Sequence, residues 1–186
     1  MKFDDIKTPE ELYEFMKCNI KYGFVSNLDN KKYTRVEVNN DELYEKMLFE
    51  TYFLQTPQQL LKNGYGICYD QVSLAKYWLV NHGYDVITYY SSYHNHTILI
   101  YKDGNTYNLF ERALPKYNSI YRACSLEEVL EIYKHIQFRN GDVDNIKLYK
   151  YDNISYGIGF YDFINECKKS DNVIELFRND FSKQFC

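Results

Sequence analysis

The stretch His96-Thr97-Ile98-Leu99-Ile100-Tyr101-Lys102-Asp103-Gly104-Asn105-Thr106-Tyr107-Asn108-Leu109-Phe110-Glu111 decides the reading of this chain. It consists of two runs rich in apolar, β-branched and aromatic residues, split by Asp103-Gly104. Asp-Gly between such runs signals a β-hairpin, because a type I′ turn needs positive φ at both central residues. With Asp103 and Gly104 as the loop, Lys102 faces Asn105. Counting outward then pairs Ile100 with Tyr107, Ile98 with Leu109 and His96 with Glu111. Directly opposed side chains have Cβ atoms about 4.5–5.5 Å apart. The Glu111 carboxylate can then hold one imidazole nitrogen of His96 and leave the other for a nucleophile. His94 is a rival, since residues two apart on a strand share a face, but in this register it meets Ala113, beyond the strand. Asn108 is a rival to Glu111, but its partner is Leu99, on the opposite face.

The candidate nucleophile lies upstream. Tyr69 to His82 is helical in pattern, with Val72, Ala75, Trp78 and Leu79 on one face and Gly83 as the stop. Cys68 therefore sits at or just before the first helical turn. Unpaired backbone N–H groups and the positive end of the helix dipole favour a thiolate there and can hold a developing oxyanion. Gly64 and Gly66 suit a tight approach of the chain into that turn.

The chain has 186 residues, 45% hydrophobic and 26% charged, which fits a single soluble domain spanning 1–186 with its own core. A net charge of −4 offers no general attraction to nucleic acid or to an anionic membrane, so neither is expected as a partner. The 21 tyrosines are spread along the chain and form no periodic basic-aromatic surface. No apolar run reaches the roughly 18 residues of a membrane span, and the first residues lack the pattern of a cleaved leader. A cytoplasmic location is expected. Cys18, Cys68, Cys124, Cys167 and Cys186 are odd in number and scattered, which argues against a disulfide framework or a structural zinc site.

The remaining organisation is read coarsely. Thr8-Pro9-Glu10-Glu11 opens a helix through about Cys18, and Asp41 to about Phe53 reads as another, making an N-terminal helical region over 8–53. Between them Ile20 to Asn40 reads as loop. Thr56-Pro57-Gln58-Gln59 repeats the helix-start signal. Asp85–Tyr90 is a strand before the hairpin. The segment 125–186 reads as a helix capped at Ser125, a turn at Asn140-Gly141, a strand over Ile146–Tyr151, and helix from about Phe160 to the end.

These motifs resemble the transglutaminase-like superfamily of papain-like cysteine enzymes. In that family Gly-x-Cys-x-Asp opens a helix, a histidine later begins a strand, and an acidic residue ends the next strand. Gly66-Ile67-Cys68-Tyr69-Asp70, His96 and Asp103 to Glu111 match those three parts, over 56–111. Ile20-Lys21-Tyr22 resembles the Ile-x-Tyr that often follows an N-terminal helix there. Thr97 stands near a position where an aromatic is common, and Glu111 where Asp is usual. The resemblance implies an α+β fold with the nucleophile at a helix N-terminus packed on an antiparallel sheet. It also implies a Cys68–His96–Glu111 triad.

Free cysteine alone reads more often as a small buried hydrophobe. The resemblance reverses that reading, because the family's spacing fixes Cys68, His96 and Glu111 together and implies a nucleophile. Asp70 reads as a first-turn carboxylate interacting with the helix dipole, and Tyr65 and Gln71 as packing residues beside the cleft. The implied chemistry is acyl transfer through a thioester on an amide or peptide bond of a protein or peptide, with no cofactor or metal. Water as acceptor makes a peptidase-like or deamidase-like hydrolase, and a lysine amine makes a protein-glutamine transglutaminase-like transferase. The alternatives are a small scaffold that uses Cys68 for redox sensing, against which no resolving cysteine lies nearby in sequence, an inactive transglutaminase-like binding module, and an arylamine N-acetyltransferase-like enzyme. The latter carries Arg-Gly-Gly-x-Cys at its nucleophile, unlike Gly64-Tyr65-Gly66-Ile67-Cys68.

Overall fold

A computed structural model describes residues 2–140 and 143–178 of the chain. The helices are α1 (Pro9–Asn19), α2 (Arg35–Val38), α3 (Asp41–Thr51), α4 (Pro57–Asn63), α5 (Cys68–Asn81), α6 (Leu126–Asn140) and α7 (Phe160–Lys168). Several begin as their sequences dictate. Thr8 and Thr56 accept from the N–H groups of Glu11 and Gln59, with proline in the first turn of each helix. The Ser125 hydroxyl accepts from Glu128 N–H while the Glu128 carboxylate accepts from Cys124 N–H.

The main sheet has six antiparallel strands in the order β10 (Val173–Phe177), β9 (Asn145–Tyr151), β5 (Asp85–Ser91), β6 (His96–Asp103), β7 (Thr106–Glu111) and β8 (Ser119–Ala123). Alternation along the strands divides the core between its two faces. Leu99, Tyr101 and Phe110 pack with Leu12 and Met16 of α1, Leu60 of α4, and Val72, Ala75, Trp78 and Leu79 of α5. Ile98, Ile100 and Leu109 pack instead with Val129, Leu130, Tyr133 and Ile136 of α6. Fully burying one such side chain contributes about 1.5–3 kcal/mol. A third cluster, centred on Tyr44, Tyr69, Tyr90, Phe160 and Phe163, surrounds the start of α5.

Four two-residue strands complete the fold. β1 (Lys21–Tyr22) pairs in parallel with β4 (Tyr65–Gly66), and β2 (Phe24–Val25) pairs with β3 (Lys32–Tyr33). The segment from Ile20 to Asn40, expected as loop, therefore carries three of these strands and α2. Each is too short to be specified without its partner.

Two further expectations change. The end of the chain is not helical throughout: α7 stops at Lys168, and β10 pairs along β9 with Ile174 and Leu176 turned into the α6 core. Residues 179–186, and Gly141 of the expected turn, lie outside the described residues. The hairpin register also differs. The paired ladder runs from Asp103↔Thr106 through Lys102↔Tyr107 to Ile100↔Leu109, so the loop is Gly104-Asn105. Gly104 has φ +56, and Asn105 is not among the positive-φ residues. That matches a type II′ turn, which takes glycine at its first central position. Continued outward, the ladder would set Glu111 against Ile98 rather than His96. The displacement is by two residues, so each side chain keeps its face.

Candidate active site

Cys68 is the first residue of α5, and the turn leading to it is fixed on every side. Gly64 ends α4 in the left-handed region at φ +70, a conformation glycine adopts without steric cost. Gly66 is needed for space: a Cβ there would lie 2.6 Å from Leu60 Cδ1 and 2.8 Å from Asp70 Cβ. The buried Asp70 carboxylate accepts from Ile67 N–H at 3.0 Å and Gln55 N–H at 2.9 Å, while Gln71 Nε2 donates to the Gly66 carbonyl at 2.9 Å. Burial pushes the Asp70 carboxyl up to about 7, against the opposing pull of those two N–H groups. Asp70 is thus a clamp on the turn.

His96 and Glu111 meet despite the altered register. His96 Nε2 lies 2.9 Å from Glu111 Oε2, with both side chains buried. The other oxygen of Glu111 accepts from Ala113 N–H at 2.8 Å and Leu114 N–H at 3.0 Å, so the carboxylate is held by the chain just beyond its own strand. Burial opposes a charged imidazole, but the Glu111 charge together with the interactions of both Cys68 and Glu111 raises His96 to about 10. Since Nε2 is engaged by Glu111, Nδ1 is the nitrogen left for Cys68.

Four residues around the thiol had no role assigned from sequence. Tyr90, fully buried, donates its hydroxyl to Asn95 Oδ1 at 2.6 Å. The Asn95 carbonyl accepts from Cys68 Sγ at 3.9 Å. His94 and Asn95 both have positive φ, +56 and +48, in the turn between β5 and β6. His94 is therefore a turn residue rather than a strand neighbour of His96, and burial with the nearby His96 charge lowers its pKa. Tyr22, paired with Gly66, interacts through its hydroxyl with Cys68, and burial followed by the thiol's charge pushes the phenol up. Tyr22 as a whole residue is still 43% exposed, whereas Cys68 is only 4% exposed. Arg112 donates Nη2 to the carbonyls of Met16 and Ile20, anchoring the end of α1 beside Glu111. Only Tyr22 stood in a motif. Tyr90 lies on β5, while Asn95 and Arg112 are brought in by turn and strand-end geometry that sequence periodicity does not encode.

The remaining candidates lie elsewhere. Asn108 turns to the opposite face and donates to the Tyr101 carbonyl. The Tyr65 ring is approached by the ammonium groups of Lys21 and Lys32. Cys18 and Cys124 are exposed, Cys167 is buried, and all are free thiols; Cys186 lies outside the described residues. A cleft of about 210 Å³ farther along α5, lined by Ser73, Lys76, Tyr77 and Tyr156, does not include Cys68, His96 or Glu111. Among the described residues, no group of three or more His, Cys, Asp or Glu side chains is placed to hold a metal ion, and no helix is long and apolar enough to cross a membrane.

A cysteine at a helix start, beside an imidazole held by a carboxylate on the adjoining strand of an antiparallel sheet, defines an α+β protein of the transglutaminase-like kind. Residues 2–138 match the family model described as a transglutaminase-like domain, DUF553, and the chain belongs to that family. No curated protein matches the chain.

Proposed function

We propose that the protein is a cysteine acyl-transfer enzyme acting on an amide or peptide bond of a protein or peptide. In this reading Cys68 is the nucleophile, His96 the general base and acid, and Glu111 the orienting carboxylate. The observation that carries it is the buried 2.9 Å contact between His96 Nε2 and Glu111 Oε2, which leaves the opposite side of the imidazole to the thiol. The carboxylate fixes the tautomer and compensates the imidazolium charge in a site where either charge alone would be costly.

The cycle follows from those positions. His96 Nδ1 takes the Cys68 proton, and the thiolate adds to the carbonyl carbon. Backbone N–H groups at the start of α5 are suited to receive the oxyanion. As the C–N bond breaks, the amine leaves with the proton from His96, and a thioester to Cys68 remains. Water or an amine then adds to the thioester, passing its proton to His96. The C–S bond breaks and that proton returns to the Cys68 sulfur. Because Cys68 is almost covered, the acyl donor reaches Sγ only when side chains over the site part. Hydrolysis is the favoured outcome, giving a peptidase-like or deamidase-like enzyme.

Mass spectrometry after incubation with a panel of amide and ester probes tests the reading. A covalent acyl adduct on the Cys68 peptide, absent from Cys68→Ala, is expected. No adduct on Cys68 with any probe, while a folded Cys68→Ala protein retains the full biological effect, would leave the binding-module alternative in its place.

A further inference from the structure

Gln71, Thr97 and Arg112 line a small cavity that also touches Cys68, Phe110 and Glu111. Each of the three has a buried polar atom with no hydrogen-bond partner in the protein: Gln71 Oε1, Thr97 Oγ1 and Arg112 Nε. Gln71 and Thr97 are each only 2% exposed. Leaving such a group unsatisfied is destabilising, so three of them on residues that line one space call for something that bridges them. The Tyr151 phenol is a further polar neighbour, and the Thr97 hydroxyl acts on it to lower its pKa against the effect of burial.

The dimensions fix what can enter. The cavity leaves about 10 Å³ for the centre of a water-sized sphere. That is about the minimum needed for one water, and buried waters typically make about three hydrogen bonds. The chemistry is complementary as well: Arg112 Nε–H can only donate, Gln71 Oε1 can only accept, and the Thr97 hydroxyl can do either.

We propose that Gln71, Thr97 and Arg112 together bind one ordered water molecule as an integral part of the site. It accepts from Arg112 Nε–H and donates to Gln71 Oε1, and the Thr97 hydroxyl completes its shell. Gln71 Nε2 already donates to the Gly66 carbonyl, and Arg112 Nη2 already donates to the carbonyls of Met16 and Ile20. The water thereby closes a continuous polar chain from the end of α1, through the residue after Glu111, to the turn that presents Cys68. It ties the strand carrying the acid to the turn carrying the thiol.

A high-resolution crystal structure of the full chain tests this independently of any catalytic role for Cys68. One water peak within hydrogen-bonding distance of Gln71 Oε1, Thr97 Oγ1 and Arg112 Nε is expected. Its occupancy should be lost or strongly reduced in Gln71→Met, which keeps the side-chain length and removes the acceptor, and in the near-isosteric Thr97→Val. A cavity without density, or rotated Gln71 and Arg112 side chains that bond each other directly, would overturn the proposal. Should either variant fail to crystallise, water-to-amide NOE spectroscopy of the wild-type protein decides. A long-lived water seen at the Gln71 side-chain amide supports the site, and no such signal refutes it.

Discussion

His96 and Glu111 form a 2.9 Å contact although the ladder between β6 and β7 is not in the register that opposes them. A pair two residues out of register is separated by about 7–8 Å between backbones, still within reach of a long side chain. The two methylenes of Glu111 carry its carboxylate to the ring across that offset. Replacing Glu111 with Gln keeps the length but presents an N–H₂ group where an acceptor is needed. Alternatively the amide flips and loses the bonds from Ala113 and Leu114. The expected result is a fall of about 10²–10⁴ in kcat/KM with measurable residual turnover, while Cys68→Ala and His96→Ala abolish it. Steady-state kinetics on a probe that acylates Cys68 checks the ranking.

The same contact sets a pH dependence. His96 is raised from 6.5 to about 10 in the folded protein. A folded pKa above the unfolded one contributes stability that is fully present below pH 6.5 and is lost as pH rises through about 10. Imidazole resonances of His96 should show the cation throughout the neutral range, whereas His94, shifted down, loses its proton below its ordinary value. In Glu111→Gln the His96 titration should move down toward 6.5. An unchanged titration in that variant would mean that Glu111 does not hold the charge.

Gly66 tests the seating of the thiol. Since a Cβ would press on Leu60 and Asp70 inside van der Waals contact, Gly66→Ala should cost about 1–3 kcal/mol by denaturant unfolding. Gly83→Ala is the control for placement: Gly83 has φ +82 but open space around it, so its penalty comes from backbone strain alone.

Tyr90→Phe removes only the hydroxyl that holds Asn95. A loss of about 0.5–1.5 kcal/mol is expected. Slower acylation of Cys68 should accompany it, because Asn95 contacts the thiol and precedes His96. Equal acylation rates in variant and wild type would separate this turn from the site.

The parts of the fold that sequence made legible are those with local rules. Proline and threonine at the starts of α1 and α4, the apolar face of α5 and the two runs of the hairpin each state their structure within a few residues. The contact of His96 with Glu111 was also foreseeable, because the actual register preserves the face on which both lie. The loop was not, since Asp103-Gly104 and Gly104-Asn105 both offer a glycine for positive φ and differ only in turn type. β8, from Ser119 to Ala123, and β10, from Val173 to Phe177, form the two edges of the sheet and depend on β7 and β9 for their pairing. Asn95 and Tyr90 meet through a turn with two left-handed residues, a geometry without a periodic signature.

Alkylation of the folded protein by iodoacetamide at about pH 6, followed by peptide mapping, tests whether Cys68 is the activated thiol, because only a thiolate reacts readily. Cys18 and Cys124 are exposed and serve as internal references, while burial pushes the Cys167 thiol well up. Cys68 is expected to be modified faster than either reference despite its burial, and His96→Ala to lower its rate by about 10²-fold or more. Faster labelling of Cys18 with Cys68 left unmodified, or an unchanged Cys68 rate in His96→Ala, would contradict it.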